Sequence, residues 1–143
     1  MTRRGFYLLH CLVLALLFFG GMSVQAGDSN VRIELNKLEP QGDACRAYLV
    51  LQNGTDSAFA SLKLDLVMFD TDGVVAKRLA VETAPLPAGK TSLKVFDMKA
   101  LACERVGRLL LNTIMKCADA SGDRENCLDS IATAARGSVP FIK

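Results

Sequence analysis

The clearest signal in this sequence is an alternation of apolar and polar residues that recurs along most of the chain. Within residues 61–70, every second position is apolar: Leu62, Leu64, Leu66 and Met68. Residues 45–52 alternate in the same way. A period of two places successive side chains on opposite faces of a β-strand. The pattern therefore predicts strands with one buried face and one partly polar face, which is typical of antiparallel sheets.

Turn signals divide the chain into separate strands. Asp72-Gly73 and Asn53-Gly54 are residue pairs that accept the positive φ of tight turns. Together with the alternation they predict six strands, at residues 30–38, 44–52, 59–70, 74–82, 91–97 and 106–116. We also expect one helical turn within residues 98–104.

The tail of the chain is open to two interpretations. The apolar residues within residues 128–136 have helical spacing, and alanine favours a helix. A strand over residues 127–141 would instead complete a second sheet, and we favour the strand. Seven short strands without a regular helix predict an all-β domain over residues 27–143. The expected architecture is a single immunoglobulin-like antiparallel β-sandwich, pinned by disulfides.

Residues 1–26 have the composition of a signal sequence. They contain a basic start at Arg3 and Arg4, an apolar run over residues 8–19, and a peptidase site at Val24-Gln25-Ala26. We expect cleavage after Ala26 and a periplasmic or secreted protein. The alternative is an uncleaved anchor, but the run is shorter than the ~20 residues of a membrane-spanning helix. Residues 2–8 resemble the twin-arginine export signal, and the general secretory route stays open.

Composition limits what the mature chain can do. Removal of Arg3 and Arg4 leaves 15 basic and 15 acidic residues, so the mature net charge is zero. The chain has no basic stripe interleaved with aromatic residues, the pattern that binds nucleic acid. Its only histidine, His10, lies in the signal sequence, so no mature serine or threonine has a histidine to activate it. We therefore expect no catalytic residue, no cofactor, no metal, and neither nucleic acid nor nucleotide as a partner. Contact with the membrane is expected only transiently, through the signal sequence.

The centre of the chain resembles bacterial immunoglobulin-like modules of the FxLYD type. The resemblance rests on a strand that ends at Asn53, on L-x-L-x-L-x-x-F-D-x-D-G-V-V over residues 62–75, and on L-P-A-G-K-T over residues 86–91. It covers about residues 44–96 and implies the same sandwich fold. With its export signal, the whole chain resembles a family of small exported bacterial proteins, which supplies no catalytic residues to carry over.

The mature chain contains four cysteines, Cys45, Cys103, Cys117 and Cys127. An even number in an exported chain predicts two disulfides. Cys117 and Cys127 flank a polar turn, so we pair them across a hairpin and leave Cys45 for Cys103. A four-thiolate zinc site is the alternative, but the two close Cys-x-x-Cys pairs that mark such a site are missing.

Two loops contain residues that chemistry could use, and we expect plain turns at both. Residues 84–91 match the loose form of a phosphate-binding loop, but Pro85 and Pro87 remove two donors and Thr91 begins a strand. The other loop is an acidic turn near the C-terminus, formed by Asp119, Asp123, Glu125 and Asp129. Its spacing fits no regular calcium loop.

The sequence favours a non-catalytic exported module that binds another envelope or periplasmic protein. We expect a partner to dock on the apolar face opposite the leucine-rich core, or on the sheet edge beside it. That face carries Tyr48, Val50, Val67 and Phe69. An apolar patch of this size tends to mark an interaction site. In a competing interpretation, tail residues 139–142 fold back and cover that face. The alternative function is a small periplasmic enzyme or enzyme inhibitor that uses loop carboxylates.

Overall fold

The computed structural model describes residues 30–143, and the predicted signal sequence, residues 1–26, lies outside them. Residues 30–143 contain no helix with the length and hydrophobicity of a membrane-spanning segment. One short 3-10 helix, Cys103–Arg105, precedes the sixth strand. The strands in chain order are β1 (Val31–Gln41), β2 (Ala44–Asn53), β3 (Ser61–Asp70), β4 (Val75–Glu82), β5 (Thr91–Met98), β6 (Val106–Asp119), β7 (Gly122–Asp123), β8 (Ile131–Ala135) and β9 (Phe141–Ile142).

These strands form two sheets that pack face to face. The first sheet has the order β5-β2-β1-β8. The second has the order β4-β3-β6-β7, and β9 also pairs with β6. The chain changes sheet five times: between β2 and β3, β4 and β5, β5 and β6, β7 and β8, and β8 and β9. The predicted immunoglobulin-like β-sandwich is therefore confirmed.

The core lies between the sheets and is filled by the alternating side chains that predicted the strands. Four residues of β3 are completely buried: Leu62, Leu64, Leu66 and Met68. The inward side of β2 is buried in the same way through Cys45, Ala47, Leu49 and Leu51. Burial of one such leucine side chain contributes about 1.5–3 kcal/mol relative to its exposure. Burial of these alternating side chains thus stabilises the packing of the two sheets against each other.

The tail forms strands, as favoured over a helix, but it is divided between the two sheets. β8 pairs in parallel with β1, with Ile131 opposite Val31. Residues 136–140 then cross to the second sheet, where β9 pairs in parallel with β6. The prediction of a single strand over residues 127–141 is therefore wrong, because this segment forms two short strands. Both of them pair in parallel, whereas the other strand pairs are antiparallel. Helical character is confined to three consecutive i to i+3 hydrogen bonds within residues 126–131.

The first strand is longer than predicted. β1 continues through Pro40 to Gln41, whereas the sequence predicts a turn over residues 39–43. The turn itself consists of Gly42, which has a φ of 60°, and Asp43. Pro40 is tolerated because β8 pairs only with the first half of β1, so the strand has an unpaired side at Pro40.

Asn53 connects the loop after β2 to the loop before β5. Its buried side-chain amide donates hydrogen bonds to the carbonyl oxygens of Ser57, Leu86 and Pro87, at 2.8, 3.3 and 3.1 Å. Its Oδ1 accepts hydrogen bonds from the N–H and the hydroxyl of Thr55. The residue that ends the second predicted strand therefore also fixes the position at which β5 enters the first sheet.

Candidate functional site

Both predicted disulfides are present. Cys45 is bonded to Cys103, with a Cα–Cα distance of 4.8 Å, and ties β2 to the short 3-10 helix. Cys117 is bonded to Cys127, with a Cα–Cα distance of 6.5 Å, and joins β6 to the segment that follows β7. All four thiols are used in these bonds, so the pairing replaces the zinc alternative and assigns the four residues a structural role.

The four residues of the predicted partner face lie on two opposite surfaces. Tyr48 and Val50 are on β2 and face outward from the first sheet. Val67 and Phe69 are on β3, on the side of the second sheet away from the core, where Val67 is buried and Phe69 is half-buried. A sandwich buries the inner faces of its sheets, so its outer faces point in opposite directions. The prediction of one continuous face is corrected accordingly: these residues belong to two separate surfaces.

On the first sheet, Tyr48 and Val50 are joined by two residues of β5. The register sets Val50 opposite Leu93 and Tyr48 opposite Val95. Leu93 is 62% exposed and Val95 is 37% exposed, while the two β2 residues are half-buried. We call these four residues the first-sheet patch. Because directly opposed side chains on neighbouring strands are in contact range, the patch is a continuous apolar surface.

Charged groups border the first-sheet patch and hold Tyr48 in place. The Tyr48 hydroxyl donates a hydrogen bond to Glu39 Oε2 at 2.5 Å, and Lys37 Nζ lies 5.3 Å from the centre of the tyrosine ring. The bond to Glu39 raises the pKa of Tyr48, while the bonds from Lys37 and Tyr48 lower the pKa of Glu39. Arg46 and Asp97 form an ion pair of 2.7 and 3.1 Å at the same end. An apolar centre with a charged rim is the usual anatomy of a protein interface.

Leu93 and Val95 are not among the residues that the sequence predicts for a partner face. The alternation within residues 91–97 places both side chains on the same face of a predicted strand. This pattern is the only local indication that they belong to one apolar surface. They join the patch only because β5 lies beside β2. These two strands are far apart in the sequence, since β2 ends at Asn53 and β5 begins at Thr91. No local pattern contains that pairing.

The second sheet has a different surface around Val67 and Phe69. Phe69 lies opposite Arg108, and the guanidinium carbon of Arg108 is 4.3 Å from the centre of the phenylalanine ring. Val67 lies opposite Leu110, which in turn lies beside Ile142 of β9. The tail extends this sheet at its edge through β9, and Pro140 borders a small cavity that Phe69 also lines.

The two loops with candidate residues for chemistry are residues 84–91 and the acidic turn near the C-terminus. An open groove of about 540 Å³ lies beside the second disulfide. Arg124 lines this groove and forms an ordinary ion pair, at 3.7 Å, with Asp119, which lies outside the groove. Within residues 30–143, no group of three or more His, Cys, Asp or Glu side chains could hold a metal ion. Thr91 begins β5, so residues 84–91 lead into a strand and not into a helix N-terminus.

Comparisons with known proteins bear on the fold alone. No protein-family model matches the chain, and no curated protein matches it significantly. The solved structure of IrmA from Escherichia coli is similar to this chain, with a TM-score of 0.51 and 19% sequence identity. The match covers 73% of this chain and 90% of IrmA. At this identity the likeness supports the β-sandwich and carries no function across.

Proposed function

We propose that this protein is a non-catalytic, exported β-sandwich module that binds an envelope or periplasmic protein through its first-sheet patch. The observation that carries the proposal is the register between β2 and β5, which sets Val50 against Leu93 and Tyr48 against Val95 on an outer face. Contiguous apolar surface that remains exposed on a small domain tends to mark a site of interaction.

Export is supported by two independent features of the chain. Residues 1–26 have the basic start, apolar run and peptidase site of a signal sequence. The mature domain contains two disulfides, which persist in oxidising compartments such as the periplasm. A module of this kind would therefore meet its partner outside the cytoplasm.

The aromatic member of the patch also supports a binding role. Tyrosine is enriched at protein interfaces because it supplies a large, rigid contact area with a polar tip. Tyr48 has that tip fixed by Glu39, and its ring is left beside Val95 on the outer face. A side chain that is already ordered loses less conformational entropy when a partner binds.

The proposal is tested by affinity capture with matched variants of the tagged mature chain. Leu93→Asp places a carboxylate in the centre of the patch, whereas Val74→Asp makes the same change at a residue that is 61% exposed in the turn before β4. We expect wild type and Val74→Asp to retain the same proteins from a periplasmic extract, and Leu93→Asp to lose them. Both positions are largely exposed, so both variants should melt close to wild type.

Two results would contradict the proposal. One is that Leu93→Asp melts normally and retains every protein that wild type retains. The other is that Val74→Asp loses the same proteins, because the effect would then follow from added negative charge and not from the patch. Quantitative mass spectrometry of the eluted proteins distinguishes these results from the expected one.

A further inference from the structure

β5 is an edge strand whose backbone is free on one side. Within residues 30–143 it pairs only with β2. The N–H of Asn53 donates a hydrogen bond to the carbonyl oxygen of Lys90 at 2.9 Å, directly before the β2–β5 ladder. Hydrogen-bonded and non-hydrogen-bonded pairs alternate along an antiparallel ladder. Because Asn53 and Lys90 form a hydrogen-bonded pair, every second residue of β5 from Lys90 onward points its N–H and C=O groups toward β2. The residues between them, including Leu93 and Val95, point these groups away from β2, toward the open side.

The free backbone groups and the exposed apolar side chains thus belong to the same two residues. Leu93 and Val95 present hydrogen-bonding groups in the plane of the sheet and side chains on its outer face. A strand added at this edge would continue the ladder and extend the first-sheet patch at the same time. Strand addition of this kind obtains affinity from main-chain hydrogen bonds and specificity from alternate side chains.

Lys94 determines which strand can be added. The register sets Lys94 opposite the buried Leu49, so its side chain leaves β5 on the core side of the sheet. Among the described residues, none forms an ion pair with Lys94. An inward-pointing charge on an edge strand is a device that prevents indiscriminate strand pairing. Most incoming strands would leave the charge of Lys94 unpaired at the new strand pair. A strand with a carboxylate opposite Lys94 would instead form an attractive charge pair with it.

We propose that the partner adds an extended strand to the free edge of β5, and that this strand carries an acidic residue between two apolar residues. The apolar residues lie beside Leu93 and Val95 on the outer face, and the acidic residue lies beside Lys94 on the core side. This inference rests on the proposed function, because the strand occupies an extension of the same patch.

A second copy of this chain is a poorer occupant of the edge. An antiparallel pairing that sets Leu93 of one copy against Val95 of the other also sets the two Lys94 residues against each other. Like charges directly opposite each other destabilise a strand pair. The register that buries the most apolar surface is therefore disfavoured between two copies, and the proposal commits to a different polypeptide. Self-association of the purified chain through β5 would overturn it.

The test uses two capped peptides in which valines alternate with threonines. In one peptide a glutamate replaces the central threonine, and in the other a lysine replaces it. We expect the glutamate peptide to bind the mature chain at least about tenfold more tightly than the lysine peptide, since the change converts a cross-strand attraction into a repulsion. Hydrogen exchange measured by NMR should slow at the Leu93 and Val95 amides in the complex.

Variants of Lys94 provide the reciprocal measurement. Lys94→Glu should invert the preference between the two peptides, and Lys94→Gln should abolish it. Both variants should melt close to wild type because Lys94 lies on an edge strand and is only half-buried. Equal binding of both peptides to wild type, or slowed exchange confined to amides outside β5, would overturn the proposal.

The capture experiment separates this inference from the proposed function. If Leu93→Asp releases the captured proteins but Lys94→Glu retains all of them, the patch binds a partner without the proposed strand addition, and this inference alone fails. If Leu93→Asp releases none of them, the proposed function fails as well. Release by both variants is the result that supports both proposals.

Discussion

Arg78 lies over Asp65 and donates two hydrogen bonds to its carboxylate, from Nε at 2.7 Å and from Nη2 at 2.8 Å. Asn112 donates a third to Asp65 Oδ2, at 2.6 Å. The Asp65 side chain is only 2% exposed, although it faces outward from the second sheet. The alternation in the sequence indicates a solvated polar residue at this position. The structure instead shows a carboxylate that is covered by the long side chain of a neighbouring strand.

Replacement of Asp65 by asparagine should destabilise the domain in a pH-dependent way. The hydrogen bonds from Arg78, and then that from Asn112, hold the pKa of Asp65 below its ordinary value. A lowered pKa in the folded state means that the stabilisation is fully present above the unfolded pKa of about 3.9 and is lost as the pH falls through the folded value. We expect Asp65→Asn to cost about 1–3 kcal/mol at neutral pH. The difference from wild type should shrink below about pH 4.

Urea unfolding of both proteins between neutral pH and about pH 2 measures this difference. Asp72→Asn is the matched control, because Asp72 is 73% exposed and its ion-pair distance to Arg105 is 3.6 Å. It should unfold close to wild type at each pH, as expected for an exposed ion pair. A cost of Asp65→Asn that stays constant over the whole pH range would show that the charge of Asp65 is not the source of the stabilisation.

The export prediction concerns residues outside the described part of the chain. We expect the protein recovered from the periplasm of an expressing bacterium to begin at Gly27, because the small or apolar residues Val24-Gln25-Ala26 precede that position. Intact mass spectrometry without reduction measures both the start of the chain and the two disulfides. A mass that includes residues 1–26, found in the membrane fraction, would mean that the segment is an uncleaved anchor.

The strands could be predicted from the sequence because their determinants are local. Burial of every second residue, as in Leu62 to Met68, produces a pattern that is visible within one strand. Turn residues such as Gly73, which has a φ of 81°, are equally local because the conformation itself requires them. The disulfides followed from the even number of cysteines and from the short spacing of Cys117 and Cys127.

The candidate site could be predicted only in part, because alternation assigns a side chain to a side of its own strand and not to a sheet. Tyr48 and Phe69 both lie opposite a leucine-rich side, yet the chain changes sheet between β2 and β3, so they face opposite directions. Leu93 joins Val50 through a pairing between distant strands. The tail failed as a single strand for the same reason, because Ile131 and Phe141 pair with different sheets.

Removal of the two disulfides should have unequal effects on stability. A disulfide restricts the unfolded chain, and the restriction grows with the number of residues in the closed loop. Cys45 and Cys103 are 58 residues apart, whereas Cys117 and Cys127 are 10 apart. The chain-entropy relation gives about 4 kcal/mol for the longer loop and about 3 kcal/mol for the shorter one.

Paired alanine variants test this order without leaving a free thiol. Replacement of Cys45 and Cys103 together should lower the free energy of unfolding by about 1–2 kcal/mol more than replacement of Cys117 and Cys127 together. The complete burial of Cys45 adds to the difference, because alanine there leaves space in the core between the sheets. Urea unfolding of both variants and of wild type decides the order. If replacement of Cys117 and Cys127 lowers the free energy of unfolding by as much or more, loop length does not govern how these disulfides stabilise the sandwich.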